Sequence, residues 1–206
     1  MISPIFIAVW IILAYTQAPF ILKNRKILYP LAWVLLAAVV FFQKLPFLLP
    51  FIKGYIGFSL FYVVMITGAL NPKWKLTRKL QSVRAPYSIL GFIFLLAHPL
   101  HYAPEVLSGV REIPLPGVIA FLVMVPLFVT SYMVIRKRMK AKTWKNLQKL
   151  AYISYAFILI HLIVNASTPV NRIVAIVLYI PYVGLKLLKE FKAAQMLSKN
   201  TAAENA

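Results

Sequence analysis

Long apolar runs separated by short basic or proline-rich breaks constrain this chain more than any other feature. A helix needs about 20 consecutive apolar residues to cross a bilayer, and hydrophobic residues make up 62% of the sequence, against 13% charged residues. A soluble domain of 206 residues has no interior large enough to hide that share of apolar side chains. The pattern predicts an all-α polytopic membrane bundle of about seven transmembrane helices and excludes an ordinary soluble enzyme. The predicted spans cover residues 3–22, 28–48, 54–71, 86–103, 117–135, 149–166 and 172–188.

Basic residues predict the orientation of this bundle in the membrane. Of the 23 Lys and Arg residues, 19 fall in every second connection or in the C-terminal tail. Cytoplasmic loops carry such an excess, so we expect a multi-pass bacterial plasma membrane protein with its N-terminus outside and its C-terminus in the cytoplasm. Each basic cluster adjoins a predicted span and faces anionic lipid, so the net charge of +19 does not indicate a nucleic-acid partner. The clusters are residues 23–26, 73–84, 136–149 and the tail from 186.

The residue types that are missing restrict the chemistry of the chain. It contains no cysteine and no aspartate, and its four carboxylate side chains are all glutamates. Disulfides, thiolate nucleophiles, zinc–thiolate sites and iron–sulfur clusters are therefore excluded. The side chains that remain for binding a metal are three histidines, His98, His101 and His161.

All three histidines fall inside predicted spans, where ionisable side chains usually mark a functional site. His98 and His161 each lie twelve residues into a span that runs outward from the cytoplasm, so both are expected about 18 Å from the inner edge. A porphyrin supplies four nitrogens itself and needs only two axial ligands, so a single b-type haem fits this inventory. His101 follows His98 by three residues on nearly the same helical face, and either of the two can be the ligand opposite His161.

Two sequence runs carry a family resemblance: the run from His98 to Tyr102 (HPLHY), and the run from Thr143 to Tyr155 (TWKNLQKLAYISY) that leads to His161. Over about residues 54–190 the chain resembles ferric reductase-like transmembrane domains. Within that superfamily it is most similar to the haem-binding membrane subunit of the bacterial methionine sulfoxide reductase system. The resemblance implies a six-helix haem-binding domain, and we place the domain boundaries accordingly. These are an extra transmembrane helix at 1–26, the haem-binding domain at 27–190 and a cytoplasmic basic tail at 191–206.

Members of this superfamily hold two stacked haems, each ligated by one histidine from each of two helices. Carried over residue by residue, the outer pair maps to His98 and His161, whereas the inner positions are Arg84 and Gln148. Because neither arginine nor glutamine is a usual haem ligand, we expect one haem b rather than two. The inner half then needs another carrier. Flavin mononucleotide (FMN) or a quinone is expected where Arg84, Gln148 and Lys149 can meet a phosphate or a ring carbonyl.

These features predict an electron-transfer subunit of the oxidoreductase type. Electrons would come from a separate cytoplasmic reductase or a quinol, pass through the haem, and reach ferric iron, a flavoprotein or a partner reductase outside. The sequence has no glycine-rich dinucleotide fingerprint, so a module that oxidises NAD(P)H must be a separate protein. The alternative is a non-enzymatic transporter or assembly subunit whose histidines are packing contacts. The absence of Asp and Glu from every predicted span argues against coupled ion transport.

Overall fold

The structure is a computed structural model that describes residues 2–204, except for the side chains of residues 193, 197 and 199–204. Within that part of the chain the backbone is almost entirely helical, in agreement with the all-α prediction. The tail predicted at 191–206 continues the last helix, and its residues 205 and 206 lie outside the described residues. The helices are α1 Ser3–Phe41, α2 Leu49–Ile52 (after a 3₁₀ turn at Pro46–Leu48), α3 Tyr55–Ala69, α4 Lys75–Ser82, α5 Arg84–Leu95, α6 Ala97–Leu107, α7 Leu115–Val129, α8 Met133–Arg136, α9 Ala141–Gln148, α10 Ala151–Val164 and α11 Pro169–Glu204.

Three helical segments in the described part of the chain are long and apolar enough to cross a membrane. They are Ser3–Phe41, Arg84–Leu107 and Ala141–Val164. A fourth is possible where Pro46–Ile52 and Tyr55–Ala69 form one span bent by 42°. Leu115–Val129 is equally apolar in character but shorter. The structure therefore fits a helical, membrane-associated protein.

The first helix differs from the sequence prediction. Residues 23–26 are predicted to connect two spans, but the structure continues α1 through them. This segment contains neither glycine nor proline, and Lys and Arg propagate a helix well. The helical geometry breaks at Gln17 instead (φ −117°, ψ 16°). Gln17 lies two residues before Pro19, whose ring does not fit a regular helix. The predicted domain boundary after residue 26 thus falls inside one kinked helix.

Helix α3 forms the centre of the bundle, and nearly all of its residues are buried. It packs most closely on α5, and a Cβ added at Gly57 would lie only 2.7 Å from the backbone nitrogen of Leu95. Glycine is therefore required at this crossing, because any side chain would push the two helices apart. The close approach brings the start of α6, which follows Leu95 directly, against the N-terminal end of α3.

A second pair of helices, α7 and α10, packs beside this centre. Ser154 Oγ on α10 donates a hydrogen bond to the Ala120 carbonyl on α7 at 3.2 Å. Helix α11 is tied to α10 by Tyr179, whose hydroxyl donates to the Tyr155 carbonyl at 3.1 Å. These buried hydrogen bonds satisfy polar groups that would be costly in hydrocarbon, and they fix the rotation of α10 against its neighbours.

Candidate functional site

Two imidazoles from separate helices meet between α6 and α10. The ring centroids of His98 and His161 are 6.1 Å apart and the ring planes are inclined at 82°. Helix α6 packs on α1, α2 and the end of α5, and α5 is held against α3 by the Gly57 crossing. Helix α10 is held against α7, so each ring is carried by a packed helix. The structure thus brings together the two histidines that the sequence places at matched depth.

The hydrogen bond of His98 determines its tautomer. Its Nδ1 lies 2.9 Å from the carbonyl oxygen of Ile52. A carbonyl can only accept, so Nδ1 carries the proton and donates it, which leaves the lone pair of Nε2 free. A backbone carbonyl on Nδ1 is a typical outer partner of a metal-ligating histidine, because it orients the ring and raises the basicity of Nε2.

His161 is held by two neighbours. Asn165 lies one helical turn further on, and its Nδ2 donates to His161 Nδ1 at 3.2 Å and to the His161 carbonyl at 3.1 Å. On the other side the ring packs against Gly117 in the first turn of α7, where an added Cβ would lie 2.6 Å from Nδ1. With this bond Nδ1 of His161 accepts and Nε2 carries the proton. Freeing the Nε2 lone pair requires Nδ1 to become the donor, which happens if the Asn165 amide turns over and gives up its bond to the His161 carbonyl.

His101 occupies a different environment. Its Nδ1 donates to Oε1 of Gln43 at 2.6 Å, at an exposed position near the end of α1. Its ring contacts the ring of Tyr102 at 4.7 Å. The imidazole that faces His161 is therefore His98.

Basic side chains converge on Tyr102 next to this pair. The Tyr102 ring lies 5.0 Å from the His98 ring, and its hydroxyl accepts a hydrogen bond from Lys53 Nζ at 3.0 Å. The guanidinium of Arg111 lies over the same ring at 4.3 Å and is also paired with Glu105 at 2.7 Å. Positive charge is thus concentrated beside the histidine pair, where it can stabilise an anionic group.

The positions predicted for the inner half, Arg84, Gln148 and Lys149, all line one cavity of about 570 Å³. Gln148 Nε2 donates to Thr130 Oγ1 at 3.2 Å, and Trp144 Nε1 donates to the Thr130 carbonyl at 3.1 Å. These bonds hold α9 against the end of α7, so the polar wall of the cavity is ordered by hydrogen bonds. We call this space the inner cavity.

A stack of phenylalanines forms part of the wall of the inner cavity. The rings of Phe92 and Phe128 are stacked at 4.2 Å, and Phe92 also stacks on Phe121 at 5.4 Å. Phe128 lines the cavity, while Phe92 lies on α5, the helix that leads into His98. The lining of the cavity therefore contains both apolar and basic side chains.

Several of these contacts were not predicted from the sequence. Gly117 directly follows Pro116, and a Pro-Gly pair is typical of a turn rather than of a partner for an imidazole. The Ile52 carbonyl and Gln43 give no sequence signal, because the first is backbone and the second is one polar residue in a short break. Only the matched depth of the histidines and the inner register of Arg84 and Gln148 could be read from the sequence.

His98 and His161 form a pair of imidazole donors, which is too few for a metal site built from protein side chains alone. In the part of the chain that the structure describes, no group of three or more His, Cys, Asp or Glu side chains could hold a metal ion. Two imidazoles would suffice as the protein's ligands to a haem, since the porphyrin would provide the other four nitrogens. His98 and His161, whose ring centroids are 6.1 Å apart, are the residues that would hold it.

Comparisons with known proteins find partial relatives. The chain is 30% identical over 115 residues to an uncharacterised protein of Treponema pallidum, which covers 50% of this chain and 32% of that protein. It is 26% identical over 129 residues to the magnetosome protein MamZ of Paramagnetospirillum magneticum and of Magnetospirillum gryphiswaldense, which covers 57% of this chain and 20% of each relative. The chain thus spans a third or less of the length of these relatives. No family model and no solved structure matches it.

Proposed function

We propose that this chain is a multi-pass plasma membrane electron-transfer subunit of the oxidoreductase type, with one b-type haem held between His98 and His161. The observation that carries this proposal is the facing imidazole pair, 6.1 Å apart, in which the His98 Nδ1–H is bonded to a carbonyl and Nε2 is free. A haem bound there supplies a one-electron couple of the iron. The chain supplies the two ligands, the hydrogen bonds that orient them and the apolar surroundings, which together set the potential.

Within this proposal His101 serves as a residue of the outer edge rather than as the ligand. Its Nδ1 is bonded to Gln43 and its neighbour is Tyr102. Lys53 and Arg111, which converge on Tyr102, lie where carboxylate groups of a haem edge would need cations. These residues stabilise negative charge at the outer end of the site.

The proposed topology keeps seven membrane crossings, an outer N-terminus and a cytoplasmic C-terminus, with the ferric reductase-like core in residues 27–190. The alternation of basic clusters supports this orientation. Helix α1 has 39 residues and is therefore about 58 Å long, nearly twice the hydrocarbon thickness of about 30 Å. Its two parts have different neighbours: Trp10 Nε1 donates to Ser59 on α3, whereas Val39 packs in the cluster that holds Ile52 and Ala97. Two crossings require the chain to reverse its direction within α1, which the structure shows as one helix with a kink at Gln17.

The proposed electron donor acts from the cytoplasmic side. A separate reductase or a quinol would approach the inner face, where FMN or a quinone would occupy the inner cavity beside Arg84, Gln148 and Lys149. Phe128, which lines that cavity, stacks on Phe92 of α5. The proposed acceptor outside is ferric iron, a flavoprotein or a partner reductase.

Asn165 is proposed as a positioning residue for His161, because its amide is bonded to His161 Nδ1. We expect Asn165→Leu to weaken haem binding by about 10- to 100-fold, as loss of an outer hydrogen bond does at other metal sites. We expect Asn165→Asp to preserve binding and to lower the reduction potential, since a carboxylate accepts from Nδ1–H and raises the basicity of Nε2. Haem titration and a spectroelectrochemical titration measure both effects. Equal potentials in Asn165→Asp and wild type would exclude this role.

The function is tested by electron transfer across a membrane. Protein loaded with haem and FMN is reconstituted into liposomes that trap dithionite, with ferricyanide outside and a potassium ionophore to dissipate the membrane potential. The protein-free liposomes receive the same FMN. We expect ferricyanide reduction at least about tenfold faster than in protein-free liposomes, because the bound iron couple shortens the path across the bilayer. Liposomes with His161→Ala provide the matched control and should behave like empty ones. Equal rates for haem-loaded wild type and empty liposomes would contradict the proposed function.

A further inference from the structure

The inner cavity carries an excess of positive charge. Its lining contains no Asp or Glu side chain. The two ion pairs found among the described residues, Arg111 with Glu105 and Lys186 with Glu190, do not involve the residues that line it. Cations at the edge of a low-dielectric space are stabilised by a neighbouring anion. The basic residues of the lining are Arg25, Arg84, Arg136, Lys145 and Lys149.

These cations differ in how firmly they are placed. The guanidinium of Arg136 lies 4.1 Å from the ring of Trp144, which is itself bonded to the Thr130 carbonyl. Arg84 lines the cavity together with Tyr155, a buried residue of α10. An aromatic neighbour therefore restricts the side chain of each of these two arginines before any ligand binds. This reduces the side-chain entropy that the arginine loses on binding.

The lining of the cavity also contains apolar side chains. Phe61, Met124, Leu127 and Phe128 belong to it, and Phe128 is fixed by its stack with Phe92. A small inorganic anion would satisfy the cations but leave this apolar surface open. A neutral quinone would cover the apolar surface and leave the basic side chains of the lining to solvent, whereas a phosphate-bearing molecule such as FMN would engage both. The cavity is therefore amphipathic, with a place for charge and a place for an apolar body.

We infer that the inner cavity binds the phosphate group of an amphiphile, with the phosphate at the arginine and lysine side chains and the apolar body against the apolar side chains of the lining. Guanidinium groups bind phosphate through paired, charge-assisted hydrogen bonds, and the lysines add point charges. An anionic phospholipid of the inner leaflet and a soluble phosphate ester share this chemistry. The inference deepens the proposed function at its cytoplasmic end, but it requires no haem and is tested separately.

The test measures ligand binding by calorimetry to the purified full chain in a neutral detergent. The probes are dioctanoyl phosphatidylglycerol, phenyl phosphate, phosphate-free dioctanoylglycerol and decylubiquinone. The variant Arg84→Gln with Lys149→Gln removes two cations of the cavity. Lys137→Gln with Arg138→Gln removes the same charge from residues of the same basic cluster that do not line it. We expect the wild type to bind a phosphate-bearing probe saturably. The affinity should fall at least about tenfold in the cavity variant, since each charge-assisted bond contributes more than a neutral one. It should stay unchanged in the control variant.

The probes distinguish the two sources of phosphate. Binding of the phosphatidylglycerol but not of phenyl phosphate supports a lipid headgroup, and the reverse supports a soluble ester. Equal binding of dioctanoylglycerol, preferential binding of decylubiquinone, or equal weakening in both variants would overturn the inference. If the cavity variant does not fold, inorganic phosphate is added to the wild type with the probe bound. Displacement of the probe by phosphate would support the inference, and no displacement would overturn it. The haem spectrum of each sample, recorded in parallel, separates failure of this inference from failure of the proposed function.

Discussion

Replacing His161 by alanine is expected to abolish the b-type haem absorption of the purified protein, and His98→Ala is expected to do the same. Each imidazole occupies one side of the 6.1 Å pair, and each is carried by a packed helix that offers no replacement ligand at the same place. A haem with one ligand left would bind weakly and become high-spin. The measurement is the reduced-minus-oxidised spectrum together with the haem-to-protein ratio after detergent purification.

His101→Ala provides the matched control for this prediction. It removes the same side chain three residues away on the same helix, but His101 is bonded to Gln43 at the exposed edge. We expect a full complement of low-spin haem in this variant. A spectrum that survives His98→Ala and disappears in His101→Ala would assign the ligand to His101 and refute the arrangement described above.

Substitutions at Gly117 are expected to have the second largest effect, although this residue carries no side chain. A Cβ at this position would lie 2.6 Å from Nδ1 and 2.8 Å from Cε1 of His161, well inside van der Waals contact. The imidazole must therefore move in Gly117→Ala, and further in Gly117→Val. We expect haem affinity to fall by at least about tenfold in the alanine variant, the usual size of a disturbed outer contact, and haem to be lost in the valine variant.

Gly184→Ala is the control for Gly117, since an added Cβ there meets nothing within 4 Å. This variant should keep its haem, and its thermal unfolding midpoint should be unchanged or slightly raised because alanine favours a helix. The unfolding midpoint of Gly117→Ala is measured alongside. Normal haem affinity in Gly117→Val would show that His161 tolerates displacement, and the close packing at Gly117 would then have no role in ligation.

The part of the site that sequence predicted is the part set by helix geometry. Two histidines that begin equal distances into their spans come to equal depth, because the rise per residue is constant. The same regularity places Arg84 and Gln148 together at the inner end, where both line one cavity. The position of a residue along its helix axis depends only on the number of residues before it, so it can be predicted from the sequence.

Rotation about the helix axis and the choice of neighbours depend on packing between distant segments. Which of His98 and His101 faces His161 is decided by the Gly57 crossing and by the Ile52 carbonyl. Neither leaves a periodic signal in the sequence. The course of α1 was likewise missed. Basic residues mark where a chain meets a headgroup layer, but they do not interrupt a helix, and the interruption falls near Pro19 instead.

The central claim, that His98 and His161 hold one haem, is tested most directly by quantifying haem in the wild-type protein. The chain is expressed with haem supplied, purified in a mild detergent, and examined by absorption before and after dithionite reduction and by the pyridine haemochrome assay. We predict a six-coordinate, low-spin b-type spectrum with close to one haem per chain. A colourless preparation of folded protein would contradict the claim and favour a non-enzymatic membrane subunit whose histidines are packing contacts.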